Sequence, residues 1–425
     1  MRRFVQMRFS HLLRELELPD WRYGLGLFAA IMLYFWHPFS GGARAPSAVL
    51  FLLGLWFWAT AWRSLAADQT QRRWLFIVAC LAIPNLLSLA TSYSAEHTLN
   101  RIGLVFLTWV VGSVLIEVLR QPGALRLLKT VLAVTVAIWI FDGLVQMLVG
   151  FDLLGIPKAG EGVEARVVGL YGNHLYLPWS LTLGLPVLVW ALIPTRPFLA
   201  LLALALGGIL IVGTGVRSAL LAWFIVVLFA TFNLKLRRKW LMVAALVASL
   251  ALGISLSPLA KVKFQQTKLE GFSFEQVDTL LSARLYLWET AWHMVKDRPV
   301  LGVGGDSFRA AYENYSTRED DPFTNSGWAG SQNVHQLYLS VLAETGFVGL
   351  AGLLLAMGFI GRVSWMAAPA ARKQAAPYAV GLIAVTFPLN SQPLIYKTWW
   401  IPLLALFVAA ILTIVCCGSD EVDEK

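Results

Sequence analysis

The stretch SQNVHQLYLSVLAETGFVGL, residues 331–350, decides how this chain is built. Its first six residues are polar apart from Val334, and the remainder opens an apolar run that continues to residue 360. As a helix, the run over 337–360 is long enough to cross roughly 30 Å of hydrocarbon. His335 stands at the junction of the polar segment and the span.

The rest of the chain repeats that pattern. Hydrophobic residues make up 58%, charged residues 14% and aromatics 12%, a balance outside that of a soluble enzyme. The apolar runs lack the alternation of barrel strands, so the expected fold class is an all-α polytopic membrane protein. Twelve spans are predicted, at 24–38, 47–62, 74–91, 102–119, 127–149, 175–193, 197–213, 217–233, 239–257, 337–360, 377–395 and 398–417.

With the N-terminus inside, inner segments carry 20 Lys and Arg and the short outer connections carry 6. The 8 in the long outer segment are set aside, because long translocated segments ignore the charge rule. Both termini are therefore expected in the cytoplasm. The basic start MRRFVQMRFSHLLRELEL is not followed directly by a short apolar core and cleavage site, so the first span is expected to stay. The net charge of +9 is spread through clusters between spans, the pattern of topology-setting loops and not of a nucleic-acid surface. Cys80 and the adjacent Cys416 and Cys417 give no disulfide framework or zinc site.

One transmembrane domain over 1–425 is expected, with a long outer loop at 258–335 between spans nine and ten and a shorter one at 150–174. At 78 residues the long loop exceeds ordinary connections, which predicts a functional and partly helical segment. Within it SARLYLWETAWHMVKD, 282–297, has Ser282 as a cap and spaces Leu285, Trp288, Trp292 and Val295 as one apolar helical face. A second short helix is expected over 307–314. REDDPFTNSGWAG, 318–330, reads as a mobile loop, and LGVGGDSF, 301–308, reads as a turn without dinucleotide spacing.

Polar residues at outer ends of spans are the candidates for chemistry. GTGVRS, 213–218, puts Arg217 at an outward helix start behind two glycines, a seat for a diphosphate, or else a snorkelling arginine. The positive-inside bias argues against an idle arginine there. His335 is expected in the first turn of span ten, where a neutral imidazole suits taking a proton from a sugar hydroxyl; the alternative is a satisfied interfacial histidine. Tyr338 shares its predicted face, whereas Glu344 points half a turn away. Arg284 begins the loop helix and can fold over the same site or stay exposed. ARVVGLYGNHLYLP, 165–178, offers Arg166, Asn173 and His174 for substrate binding or helix capping. His97 and His293 are assigned no role, Asp142 reads as a hydrogen-bonded structural carboxylate, and Asp320 and Asp321 lack further metal-ligand spacing. No buried acidic relay or broken pair of helices points to ion transport.

With these residues in view, the chain resembles the O-antigen ligase and polymerase superfamily, and within it the ligases. GTGVRSALLA resembles its outer arginine, SARLYLWETAWHMVKDRPVLGVGGDSF its loop helix and Gly-x-Gly turn, VHQLYLSVLAETGFVGL its histidine and Glu-Thr-Gly motif, and ARVVGLYGNHLYLP its Gly-Asn loop. Gln336 departs from the Asn found in many members. The resemblance implies a GT-C-like, metal-independent, inverting glycosyltransferase of the Gram-negative inner membrane, with its active site in the periplasm and no cofactor. It further implies His335 as general base, Arg217 and Arg284 on the diphosphate, an undecaprenyl-diphosphate-linked O-antigen as donor, lipid A-core as acceptor and membrane lipids as surroundings. Rivals are an O-antigen polymerase, a protein O-oligosaccharyltransferase and, from another class, a lipid-linked glycan flippase. The short tail after span twelve favours the ligase over protein-targeting relatives.

Overall fold

The computed structural model describes residues 16–39, 42–172, 174–232, 236–265, 278, 281, 284–325, 333–390, 392 and 395–417. Among the described residues nine helices come first: α1 (Trp21–Phe35), α2 (Arg44–Ala67), α3 (Gln69–Ser88), α4 (Ala95–Leu119), α5 (Ala124–Val149), α6 (Leu177–Leu192), α7 (Pro197–Gly213), α8 (Arg217–Phe232) and α9 (Leu236–Leu256). Four short helices, α10 (Pro258–Gln265), α11 (Leu285–Asp297), α12 (Phe308–Tyr315) and α13 (Pro322–Asn325), lie in the long loop. The chain closes with α14 (Leu337–Met366), α15 (Pro369–Val385) and α16 (Ile401–Cys417).

Six helices are long and apolar enough to cross a membrane, and α1, α6, α7, α8 and α16 are apolar but shorter. Among the described residues β-pairing is limited to the isolated bridges Phe151–Pro157 and Ala159–Arg166. The fold is therefore all-α. Span eleven is the one that moves: α15 runs from Pro369 to Val385, not over 377–395. Pro369 suits a helix start, where its missing N–H costs nothing. At the other end Thr386 Oγ1 takes the Leu382 carbonyl at 2.7 Å and Asn390 takes that of Val385, and the chain leaves the helix before Pro388.

Helices α6 and α16 are apolar all round and buried along most of their length, which makes them the central pillars. Around them the main core encloses Tyr34, Trp179, Trp223, Trp400 and Phe407. A separate small core sits over the bundle, formed by Leu287, Ala291, Met294, Val303, Phe308 and Tyr312 with Val334 and Ala343.

That second core corrects the reading of the loop helix. α11 starts at Leu285, and its buried face is Leu287, Thr290, Ala291, Met294 and Val295; Trp292 is exposed. The apolar spacing read from the sequence was phased for a helix lying alone on a surface. Instead α11 is clamped between α12 and α14, which turns a different stripe inward. The cap expected at Ser282 lies outside the described residues. The loop read as mobile over 318–330 is anchored at two points among its described residues, while Glu319 and Asp320 stay exposed: buried Asp321 accepts from Tyr312 Oη at 2.9 Å and Ser316 Oγ at 2.5 Å, and Arg318 pairs with Glu289 at 2.5 Å. Residues 326–330 lie outside the described residues.

The helix α14 is broken part-way along. Gly346 sits at φ 64°, ψ −165°, and the turn at 299–304 fills the gap. Phe347 N–H donates to the Pro299 carbonyl at 2.8 Å and Val348 N–H to Val300 at 3.3 Å; in return Val303 and Gly304 N–H donate to Ala343 and Glu344 at 3.0 and 2.9 Å. All four backbone groups freed by the break are thus satisfied, as burial demands. A Cβ on Gly346 would lie 2.2 Å from the Val300 oxygen, so only glycine permits this docking.

Candidate active site

Described parts of the connections at 36–39, 91–93, 167–176, 302–303 and 395–400 are laced together at one end of the bundle. Tyr93 N–H donates to Val303 O at 2.9 Å, Thr91 Oγ1 to Gly302 O at 2.8 Å, and His37 bridges Tyr171 Oη and Trp399 O at 3.0 Å each. Gly213, at the end of α7, lies so close to the Gly-Asn loop that a Cβ there would be 3.5 Å from Val167.

His335 is not in the first turn of α14. The helix begins at Leu337 with Gln336 as N-cap, its side chain accepting from Leu339 N–H, and His335 precedes it at φ 53°. A left-handed histidine is uncommon and costs on the order of 1 kcal/mol unless its surroundings impose it. Here they do. Asn333 Oδ1 accepts from Lys397 Nζ at 3.0 Å, Val334 O accepts from Trp288 Nε1 at 3.0 Å, Gln336 Nε2 donates to Pro388 O at 2.9 Å and Tyr338 Oη donates to Thr386 O at 2.8 Å. The strap 333–338 is pinned on both sides of the half-buried imidazole, which holds that side chain's backbone in one place.

Trp288 also ties the strap to Arg284, which stands one turn earlier at the N-cap of α11. Arg284 makes no ion pair among the described residues. Burial pushes its guanidinium pKa down, and the positive charge of Arg217 pushes it down further. Arg217 is the first residue of α8, behind the left-handed Gly215 at φ 69°. The loop helix and the helix start thus bring two like charges within range of each other beside the strap. Two like charges repel each other, a repulsion that a nearby anion relieves.

The other candidates divide. Tyr338 keeps its place near the strap, but its hydroxyl is committed to Thr386. Arg166 lies on a small hairpin whose backbone exchanges two hydrogen bonds with Ala159, and the loop beyond it is held by Gln146, whose Oε1 accepts from Val168 and Gly169 N–H at 2.8 Å. His174 stacks on Tyr176 at 5.1 Å in an aromatic corner of its own. Asn173 lies outside the described residues. Asp142 accepts from Leu153 N–H at 3.0 Å, in keeping with a structural carboxylate, and His293 is bonded to Tyr315 O at 3.1 Å.

Sequence reasoning missed Arg101. Buried in the second turn of α4, it pairs with Glu344 Oε2 at 2.5 Å and Asp306 Oδ1 at 3.0 Å and lies 4.7 Å over the Tyr396 ring. An arginine inside an apolar run on the outer side carried the same signal as Arg217 and could have been singled out. Glu344, which the sequence reading set apart from the histidine, has its carboxylate taken up by this pair.

No curated protein gives a significant match to the chain. Residues 201–354, which run from α7 through both arginines to the strap and the break at Gly346, match the family model described as O-Antigen ligase, in keeping with the O-antigen ligase and polymerase superfamily.

Proposed function

We propose that this protein is an O-antigen ligase, a metal-independent, inverting glycosyltransferase with its 1–425 span as one transmembrane domain and 258–335 as its periplasmic loop. It transfers O-antigen polysaccharide from undecaprenyl diphosphate to a sugar hydroxyl of lipid A-core, at the periplasmic face of a Gram-negative inner membrane with both termini cytoplasmic. The observation that carries this reading is the like-charged Arg217 and Arg284 beside a strap that presents His335. His335 takes the proton of the acceptor hydroxyl as its oxygen attacks the anomeric carbon, and the C–O bond to the diphosphate breaks with inversion. The departing diphosphate carries its own charge, so it needs the two guanidiniums more than a protonating acid.

An apolar groove supports a polyprenyl donor. It has a volume of about 500 Å³, is walled by α3, α14, α15 and α16, and reaches Thr386, the residue whose carbonyl receives Tyr338. A lipid tail in that groove would have its head group near the strap. Arg166, Asn173 and His174 then belong to the sugar-binding surroundings.

Purified protein mixed with lipid-linked O-antigen and rough lipopolysaccharide tests the reading. Transfer is expected with and without EDTA and should be lost in His335→Ala; undiminished transfer by that variant, or loss with EDTA, defeats the mechanism. Offering a second lipid-linked glycan or a pilin-like protein as acceptor separates ligase from polymerase and protein O-oligosaccharyltransferase. A flippase would move the donor without forming any new glycosidic bond.

A further inference from the structure

A second cleft opens on the same end of the bundle. Its volume is about 220 Å³, below the roughly 300–1,000 Å³ of drug-sized sites, and it can seat one sugar ring. His37, Arg44, Tyr171, His174, Tyr176 and Trp399 line it. Tyr176 stacks on Trp399 with centroids 3.7 Å apart, and His174 lies almost parallel to Tyr176 at an interplanar angle of 7°.

The two walls are locked by His37, which is buried with both ring nitrogens in use, one to Tyr171 Oη and one to the Trp399 carbonyl. It is therefore a strut and not a ligand. Arg44, at the start of α2, is exposed and has no hydrogen-bond or ion-pair partner among the described residues. A flat aromatic wall facing a lone guanidinium in a small cleft suits a pyranose whose C–H face packs on the rings and whose carboxylate or phosphate meets the arginine. The wall is also wired to the strap: Lys397, two residues before Trp399, donates to Asn333, two residues before His335.

We propose that this cleft binds one anionic sugar ring of the acceptor saccharide and so presents the neighbouring hydroxyl to His335. The assignment to the acceptor rests on the transferase reading above; the recognition of an anionic ring does not. A donor sugar carrying the same acid group is the other source of this chemistry.

Saturation-transfer NMR on the full chain in detergent micelles, with glucuronate and glucose as probes, needs no turnover and so is read even if no transfer is found. Saturation is expected on the glucuronate ring protons, well above that on glucose, and should fall several-fold in Arg44→Glu. Equal signals from the two sugars, or glucuronate signals that Arg44→Glu leaves unchanged, overturn the proposal. Should Arg44→Glu not fold, Arg44→Gln replaces it with the same expectation. In the transfer assay the KM for the acceptor should rise about tenfold with kcat held within about twofold, the mark of lost uniform binding. A rise confined to the donor KM overturns the acceptor assignment.

Discussion

Two arginine-centred clusters sit at the same end of this bundle, and they are opposites. Around Arg101 the charge is closed: Glu344 and Asp306 neutralise it, Tyr396 covers it, and both members of the tighter pair are only 5% exposed. Around Arg284 the cluster is open in sign: beside burial, the charge that lowers its pKa is Arg217, which repels it. A buried pair of the first kind holds helices and loop together, whereas two like charges near each other make a place where an anion is favoured. Both clusters begin from an arginine near the outer end of a span, so residue type and depth do not separate structure from function. The sign of the neighbouring charge does.

The contrast can be broken from the open side first. His335→Asn keeps a residue that accepts the left-handed backbone yet cannot act as the base, and transfer should fall by roughly 10² to 10⁴ with the thermal midpoint nearly unchanged. A comparable loss of midpoint would make His335 structural. On the closed side, Glu344→Ala leaves Arg101 buried without its main partner and should cost about 3 to 5 kcal/mol of stability, read as a drop in thermal unfolding temperature in detergent. If that variant unfolds no earlier than the parent, the closed cluster does not bear on stability.

Arg284→Gln sharpens the comparison further. Transfer should fall by about 10² to 10³, as when one donor to developing charge is lost, while the unfolding temperature holds or rises because a repulsion is relieved. A fall in stability like that of Glu344→Ala would erase the distinction between the clusters. The smallest effect is expected from Trp288→Phe, which removes one hydrogen bond to Val334 at a stability cost of about 1 kcal/mol. Because that bond sets the strap, kcat should fall more than KM changes; an unaffected kcat would show that the strap holds without it.

The apolar helices were legible in the sequence, since the length of an apolar run is a local property that the bilayer reads directly. So were the residue types of the open cluster, Arg217, Arg284 and His335, because each stands at a break in local hydropathy. What failed was phase. The buried stripe of α11 and the start of α15 depend on neighbours far along the chain, and a helical wheel has no knowledge of them.

The sequence by itself thus determined that this is a helical membrane protein with polar chemistry gathered at one end, because hydrophobic length and charge asymmetry need no partner to act. Only the tertiary structure decided that Gly346 breaks α14 to receive the turn at 299–304, and that Glu344 closes the charge of Arg101. It also decided that His335 sits outside the helix in a strap pinned on both sides. Those outcomes rest on hydrogen bonds and charges between residues up to 243 positions apart, which no local pattern encodes.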